Sequence, residues 1–290
     1  MINHLVLHPR TKEQVMQFVA RPGHATLLIG SNGTGKTALA KAMVSAALQL
    51  KPGMLDQYPY FALVTPEKNS ISIDSIRQLQ RFLQLKTLGD RPLRRAVIVE
   101  HAETLTAEAQ NAYLKLLEEP PSDTLMILTA DNQRALLPTI LSRVQAVTVY
   151  APPENELKQH FASLDKAQAS IAQAYFLSGG LPGLMYALLD KDDAHPLISG
   201  VAQAKSILQK QVFERLAMVE GLSKQKEEAR CVMQALQHIA QTCLGQAASK
   251  GDQAKLKQWH HILAVATEAE QALGQSANAK LVLSNLMLKI

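Results

Sequence analysis

The sequence predicts an α/β domain built on a parallel sheet, followed by an all-helical remainder. Three observations carry this. Five short apolar runs alternate with helix-like segments over the first 150 residues, as in sheets covered on both faces. A glycine-rich loop stands between the first run and a helix. After Ala151-Pro152-Pro153, which reads as a linker, no convincing strand follows. A chain of 290 residues suffices for two domains or three small ones. With 47% apolar and 19% charged residues it has ordinary globular composition, which excludes disordered and fibrous classes.

The elements follow in order. Ala25–Ile29 is the first strand, and Ala38–Leu50, rich in alanine and leucine, is a helix. Tyr60–Val64 is a second strand, closed by Pro66. Asp74 is expected to cap an amphipathic helix over Ser75–Leu85. Ala96–Val99 is a third strand, followed by a helix from Thr106 to Glu118 that Pro120-Pro121 stops. Leu125–Thr129 and Ala146–Val149 are the fourth and fifth strands. Beyond the linker, Glu154–Leu164 and Ala167–Leu177 read as helices, and Ser178–Gly183 breaks the chain before a third helix over Leu184–Leu189. A further boundary is placed at Lys191–Pro196. Leu197–Ile290 reads as helical, with breaks near Leu222-Ser223, Gly245–Gly251 and Gly274–Ser276.

Lysine and arginine total 30 against 25 acidic residues, a net charge of +5 with no basic tail, so a strong DNA-binding patch of the chain's own is not expected. Aromatics at 4% are too few for a base-stacking platform. No apolar run approaches the ~20 residues a bilayer span needs. Residues 1–14 lack the pattern of a signal peptide, and the chain reads as cytoplasmic. The two cysteines, Cys231 and Cys243, make neither a zinc site nor a disulfide framework.

Gly30-Ser31-Asn32-Gly33-Thr34-Gly35-Lys36-Thr37 matches the phosphate-loop pattern G-x-x-x-x-G-K-[ST]. Glycines let such a loop turn its N–H groups towards phosphate oxygens, and the following helix adds its positive dipole end. Lys36 is the β/γ-phosphate lysine, and the Thr37 hydroxyl is the candidate Mg²⁺ ligand. ATP or ADP with Mg²⁺ is the implied cofactor. A loop of this kind needs a carboxylate at the end of a neighbouring strand to hold Mg²⁺, and Glu100, after the third strand, takes that position. Glu103 reads as a solvated helix-start acid, the alternative being a base that assists a water.

Thr106–Pro121, containing Asn111-Ala112-Tyr113-Leu114-Lys115-Leu116-Leu117-Glu118-Glu119-Pro120-Pro121, resembles the N-A-L-L-K-x-L-E-E-P-P signature of the AAA+ clamp-loader subunits of bacterial DNA polymerase III. Leu137–Val144 resembles their L-P-T-I-x-S-R-C signature, and Ile71–Arg77 the segment before their second helix. The resemblance runs in order from Ala25 to Tyr150 and continues more weakly through Gly179–Leu189 and Asn278–Leu288.

This likeness implies roles. Arg143, which on its residues alone reads equally as a surface or salt-bridged arginine, takes the position of an arginine finger that enters a neighbouring subunit's ATP site. Glu100 stands where the family has Asp, and His101 where hydrolysing members carry the Glu that polarises water. Thr129 falls near a sensor position, or simply ends its strand. The stretch Leu181–Leu184 lacks the lid arginine of hydrolysing members. Lys51–Tyr60 lacks the cysteines of a zinc module, so no zinc is expected, and no metal site is expected beyond the Mg²⁺ that accompanies a nucleotide.

The organisation implied is an AAA+ P-loop domain over 1–150, a helical lid over 151–194 and a helical oligomerisation collar over 195–290. The function implied is that of a clamp-loader subunit with a degenerate ATPase site. It would act beside gamma/tau and delta subunits in loading the sliding clamp onto primed DNA, without membrane contact. One alternative is an active ATPase of the gamma/tau type, which calls for an Asp-Glu pair and a lid arginine. Another is a P-loop phosphotransferase, which calls for strands and a substrate pocket in the second half.

Overall fold

A computed structural model describes residues 2–67, 69–164, 166–190, 196–274 and 277–290. The chain divides into two compact units, Met1–Pro152 and Pro153–Ile290.

The first unit is a five-stranded sheet in the order β2-β3-β4-β1-β5, where β1 is Ala25–Ile29, β2 Phe61–Val64, β3 Arg95–Val99, β4 Thr124–Ala130 and β5 Gln145–Thr148. Every pairing is parallel. The helices of this unit are α1 (Pro9–Ala20), α2 (Lys36–Ala47), α3 (Ile73–Gln84), α4 (Ala107–Glu118) and the short α5 (Pro138–Leu141). Alternation along the strands divides the core between the two faces. Val97, Val99, Met126 and Leu128 pack with Leu79 of α3, Tyr113 and Leu117 of α4 and Ile140 of α5. Ala96, Ile98, Leu125 and Ile127 pack with Val15 and Phe18 of α1 and with Leu39 and Met43 of α2. The central strands are buried on both faces, which is why they read as unbroken apolar runs.

The expected strands agree with these to within about a residue at each end. The helix ends differ more. Helix α3 starts at Ile73 and its N-cap is Ser72, whose side chain accepts from Ser75 N. Asp74 sits inside the first turn and pairs with Arg77 instead. Helix α1 was not foreseen: only Thr11, Val15 and Phe18 of its twelve residues are buried, too sparse a stripe to stand out. It is tied to β5 by the Thr11 hydroxyl, which donates to Thr148 O and accepts from Tyr150 N.

The second unit is helical: α6 (Glu154–Ala162), α7 (Gln168–Ser178), α8 (Pro182–Asp190), α9 (Pro196–Gln209), α10 (Val212–Lys224), α11 (Lys226–Lys250), α12 (Gln253–Gly274) and α13 (Ala279–Lys289). Helix α11 is its spine. Val232, Met233, Leu236 and Ile239 are fully or almost fully buried in a core that also takes Leu184, Val201, Val265 and Leu286. The expected break near Leu222-Ser223 lies at Gln225, and another falls at Lys210-Gln211. Gly245 does not break α11, which ends at Gly251 in the left-handed conformation. Residues 191–195 of the expected Lys191–Pro196 boundary, and Gln275 and Ser276 of the expected third break, lie outside the described residues. Cys231 and Cys243 are free thiols. Among the described residues, no helix is long and apolar enough to cross a membrane.

Candidate nucleotide-binding site

Strand β4 lies between β3 and β1, so the carboxyl ends of the three strands open at one sheet edge, where ligands of open α/β sheets bind. The loop Gly30–Gly35 leaves β1 there. Gly30 is required by contact, because a Cβ would stand 2.6 Å from Val149 O. Gly35, with φ +84°, caps α2 in the left-handed region that favours glycine. Thr34 closes the turn by donating its N–H and hydroxyl to Ser31 O. Thr37 lies in the first turn of α2 and is half-buried.

The Lys36 side chain is 6% exposed. Its ammonium donates to Gly30 O at 2.8 Å, Ser31 O at 3.0 Å and Asp131 Oδ1 at 2.9 Å. All three ammonium hydrogens thus have protein acceptors. Asp131, the first residue past β4, was not singled out from sequence. The usable signal was its place: the first charged residue after a buried strand whose neighbour leads into the phosphate loop.

Glu100 is half-buried just past β3, and its N–H donates to Val64 O at 2.8 Å. His101 follows with φ +51°, an uncommon conformation outside glycine, and its N–H donates to the Thr129 hydroxyl at 3.2 Å. Thr129 is the last residue but one of β4. It is buried within β4 and pins the corner that turns His101 towards the site.

Glu103 corrects an expectation. It is only 15% exposed rather than solvated, and its Oε1 lies 3.3 Å from His101 Nδ1. The bond to Glu103 raises the His101 pKa above the ordinary histidine value, with burial opposing. Ligand-capable atoms of His101, Glu103 and Asp131 all lie within 4.8 Å of one another. One carboxylate of this group, Asp131, is already paired with the Lys36 ammonium.

Arg143 lies elsewhere. It precedes β5, and because the sheet is parallel this is the edge opposite the phosphate loop, a five-residue strand or about 15 Å away. The side chain is 37% exposed and pairs with Glu118 at 3.0 Å. It also donates to Thr139 O at 3.1 Å and to the Ser142 hydroxyl at 3.3 Å. The two signature segments are physically coupled. Gln110 of α4 donates to Ala135 O and accepts from Leu137 N, fixing the entry to α5, while Glu118 at the end of α4 holds Arg143.

Residues 12–152 match the family model described as "DNA polymerase III, delta subunit". Over those residues the chain is similar to subunits of bacterial DNA polymerase III. The chain is 32% identical to the DNA polymerase III delta-prime subunit of Pseudomonas aeruginosa over 182 residues, 56% of this chain and 55% of that one. It is 29% identical to the delta-prime subunit of Escherichia coli over 206 residues, covering 64% and 61% of the two chains. The chain thus aligns with less than two thirds of the length of these relatives. Its fold also resembles the crystal structure of a DNA polymerase III gamma-subunit-related protein from Thermotoga maritima. That likeness has a TM-score of 0.52 at 19% identity and covers 96% of this chain and 97% of the other.

Proposed function

We propose that this chain is a clamp-loader subunit whose own nucleotide site binds ADP or ATP but hydrolyses ATP poorly. The observation that carries the reading is a complete phosphate loop whose water-polarising position holds an imidazole. The residues present fit a nucleoside di- or triphosphate with Mg²⁺. The loop N–H groups and the α2 dipole take the phosphates, Lys36 their charge, and Thr37 with Glu100 the cation. The bound nucleotide supplies the phosphoryl group and leaving group. His101, held by Glu103, has its pKa raised by that bond, and an imidazole cannot supply the fixed negative charge that a carboxylate sets beside the attacking water. The absence of an arginine over Leu181–Leu184 removes a further source of charge stabilisation.

In this proposal residues 151–194 act as a lid and 195–290 as the collar that joins gamma/tau and delta subunits. Arg143 leaves Glu118 to enter a neighbour's ATP site, and hydrolysis in partner subunits drives loading of the sliding clamp onto primed DNA. The exposed Arg143–Glu118 pair is worth roughly 0–1 kcal/mol, a small barrier to that exchange. Steady-state phosphate release by the pure chain tests the site. The expected turnover lies far below ~1 s⁻¹, and turnover near that value which disappears in Lys36→Ala contradicts the proposal.

A further inference from the structure

The phosphate loop is closed on its own lysine. Lys36 is buried, and its three acceptors come from two carbonyls of the loop itself and from a carboxylate 95 residues away. The carbonyls are neutral and bend with the loop. Asp131 differs in kind: it carries a full negative charge and is set by the end of the buried strand β4.

We infer that Asp131 is an internal competitor for the phosphates of the nucleotide, occupying Lys36 until a phosphate displaces it. The inference rests on the proposed nucleotide site and deepens it. Two effects act in the same direction. A phosphate oxygen must take the Lys36 hydrogen that Asp131 now accepts, and the released carboxylate stays near the incoming anion. Repulsion between the two weakens binding further. A ring nitrogen of His101 lies within 4.8 Å of a carboxylate oxygen of Asp131, close enough to become a second partner by a small side-chain movement once Lys36 leaves. The device makes occupancy of this loop depend on Asp131 as well as on the loop sequence, so a complete motif coexists with weak binding.

The test is isothermal titration of the full chain with ADP, with and without Mg²⁺, and with inorganic pyrophosphate, using adenosine as the control without phosphate. The variants are Asp131→Asn, Asp131→Ala and Lys36→Ala, each checked for wild-type thermal unfolding. Asp131 is partly exposed, and the alanine variant serves if the asparagine variant fails to fold. ADP and pyrophosphate should bind about tenfold or more tightly in Asp131→Asn, the order set by one charge-assisted hydrogen bond, with adenosine unchanged. Binding that appears only in the Asp131 variants supports the inference most strongly. ADP binding in the wild type that Lys36→Ala abolishes and both Asp131 variants leave unchanged or weaken overturns the competitor and leaves the nucleotide site standing. No ADP or pyrophosphate binding at millimolar concentration in any variant overturns the nucleotide site itself, and the competitor with it.

Discussion

At the scale of single residues, titratable groups at the sheet edge follow in the order Lys36, Asp131, His101, Glu103, each within 4.8 Å of the next. None of these contacts was legible from spacing. Lys36 and Asp131 are 95 positions apart, and His101 meets Glu103 through a left-handed turn that no periodicity announces. The loop itself was legible, because its chemistry is local. Another residue departs from the signature it belongs to. Tyr113 stands where the clamp-loader signature has leucine, and its hydroxyl is fully buried with no hydrogen-bond partner among the described residues. Burial pushes its pKa well above the ordinary tyrosine value. An unpaired buried hydroxyl costs about 1–3 kcal/mol, so Tyr113→Phe should raise stability by about 1 kcal/mol while keeping the ring. Urea unfolding reads this as a higher midpoint at constant slope, and a lower midpoint would show that the hydroxyl is paired.

At the scale of elements, the central strands β1, β3 and β4 were read well because they are buried on both faces, and the edge strands β2 and β5 because each is a short run bounded by loops. Helix ends were read less well, because a cap is chosen by backbone geometry rather than by residue type alone. Ser72 and Asp74 are both good capping residues, and only Ser72 has the extended backbone and the bond to Ser75 N. Ser72→Ala should therefore destabilise the chain by about 1 kcal/mol. Asp74→Ala should change stability by no more than about 0.5 kcal/mol, since it loses only an exposed pair with Arg77. Thermal unfolding of the two variants side by side decides between the caps, and the reverse ranking would restore Asp74. Helix α1 escaped notice because its three buried residues are held largely by tertiary contact, including the Thr11 bonds to β5.

At the scale of the whole molecule, the parallel sheet separates two sites that the sequence could only order along the chain. The phosphate loop lies at the carboxyl ends of the strands and Arg143 at the amino ends. Arg143 is thus remote from the phosphate loop of its own chain, which supports action in trans. Glu118 and Gln110 give physical content to the signature that carries them, since both shape the segment bearing Arg143. The most direct measurement is clamp- and DNA-stimulated ATPase of loader complexes reconstituted with the wild-type chain or with Arg143→Ala, at equal assembly confirmed by size. A transferred guanidinium is worth roughly 10³–10⁵ at a single phosphoryl-transfer site. On the proposed arrangement Arg143→Ala should assemble normally and lower the stimulated rate, by less than that factor if other sites of the complex are served by arginines of their own. Arg143→Lys should restore the rate only in part, for want of the planar fork. Equal rates for wild-type and Arg143→Ala complexes would contradict the account and leave this chain a passive scaffold.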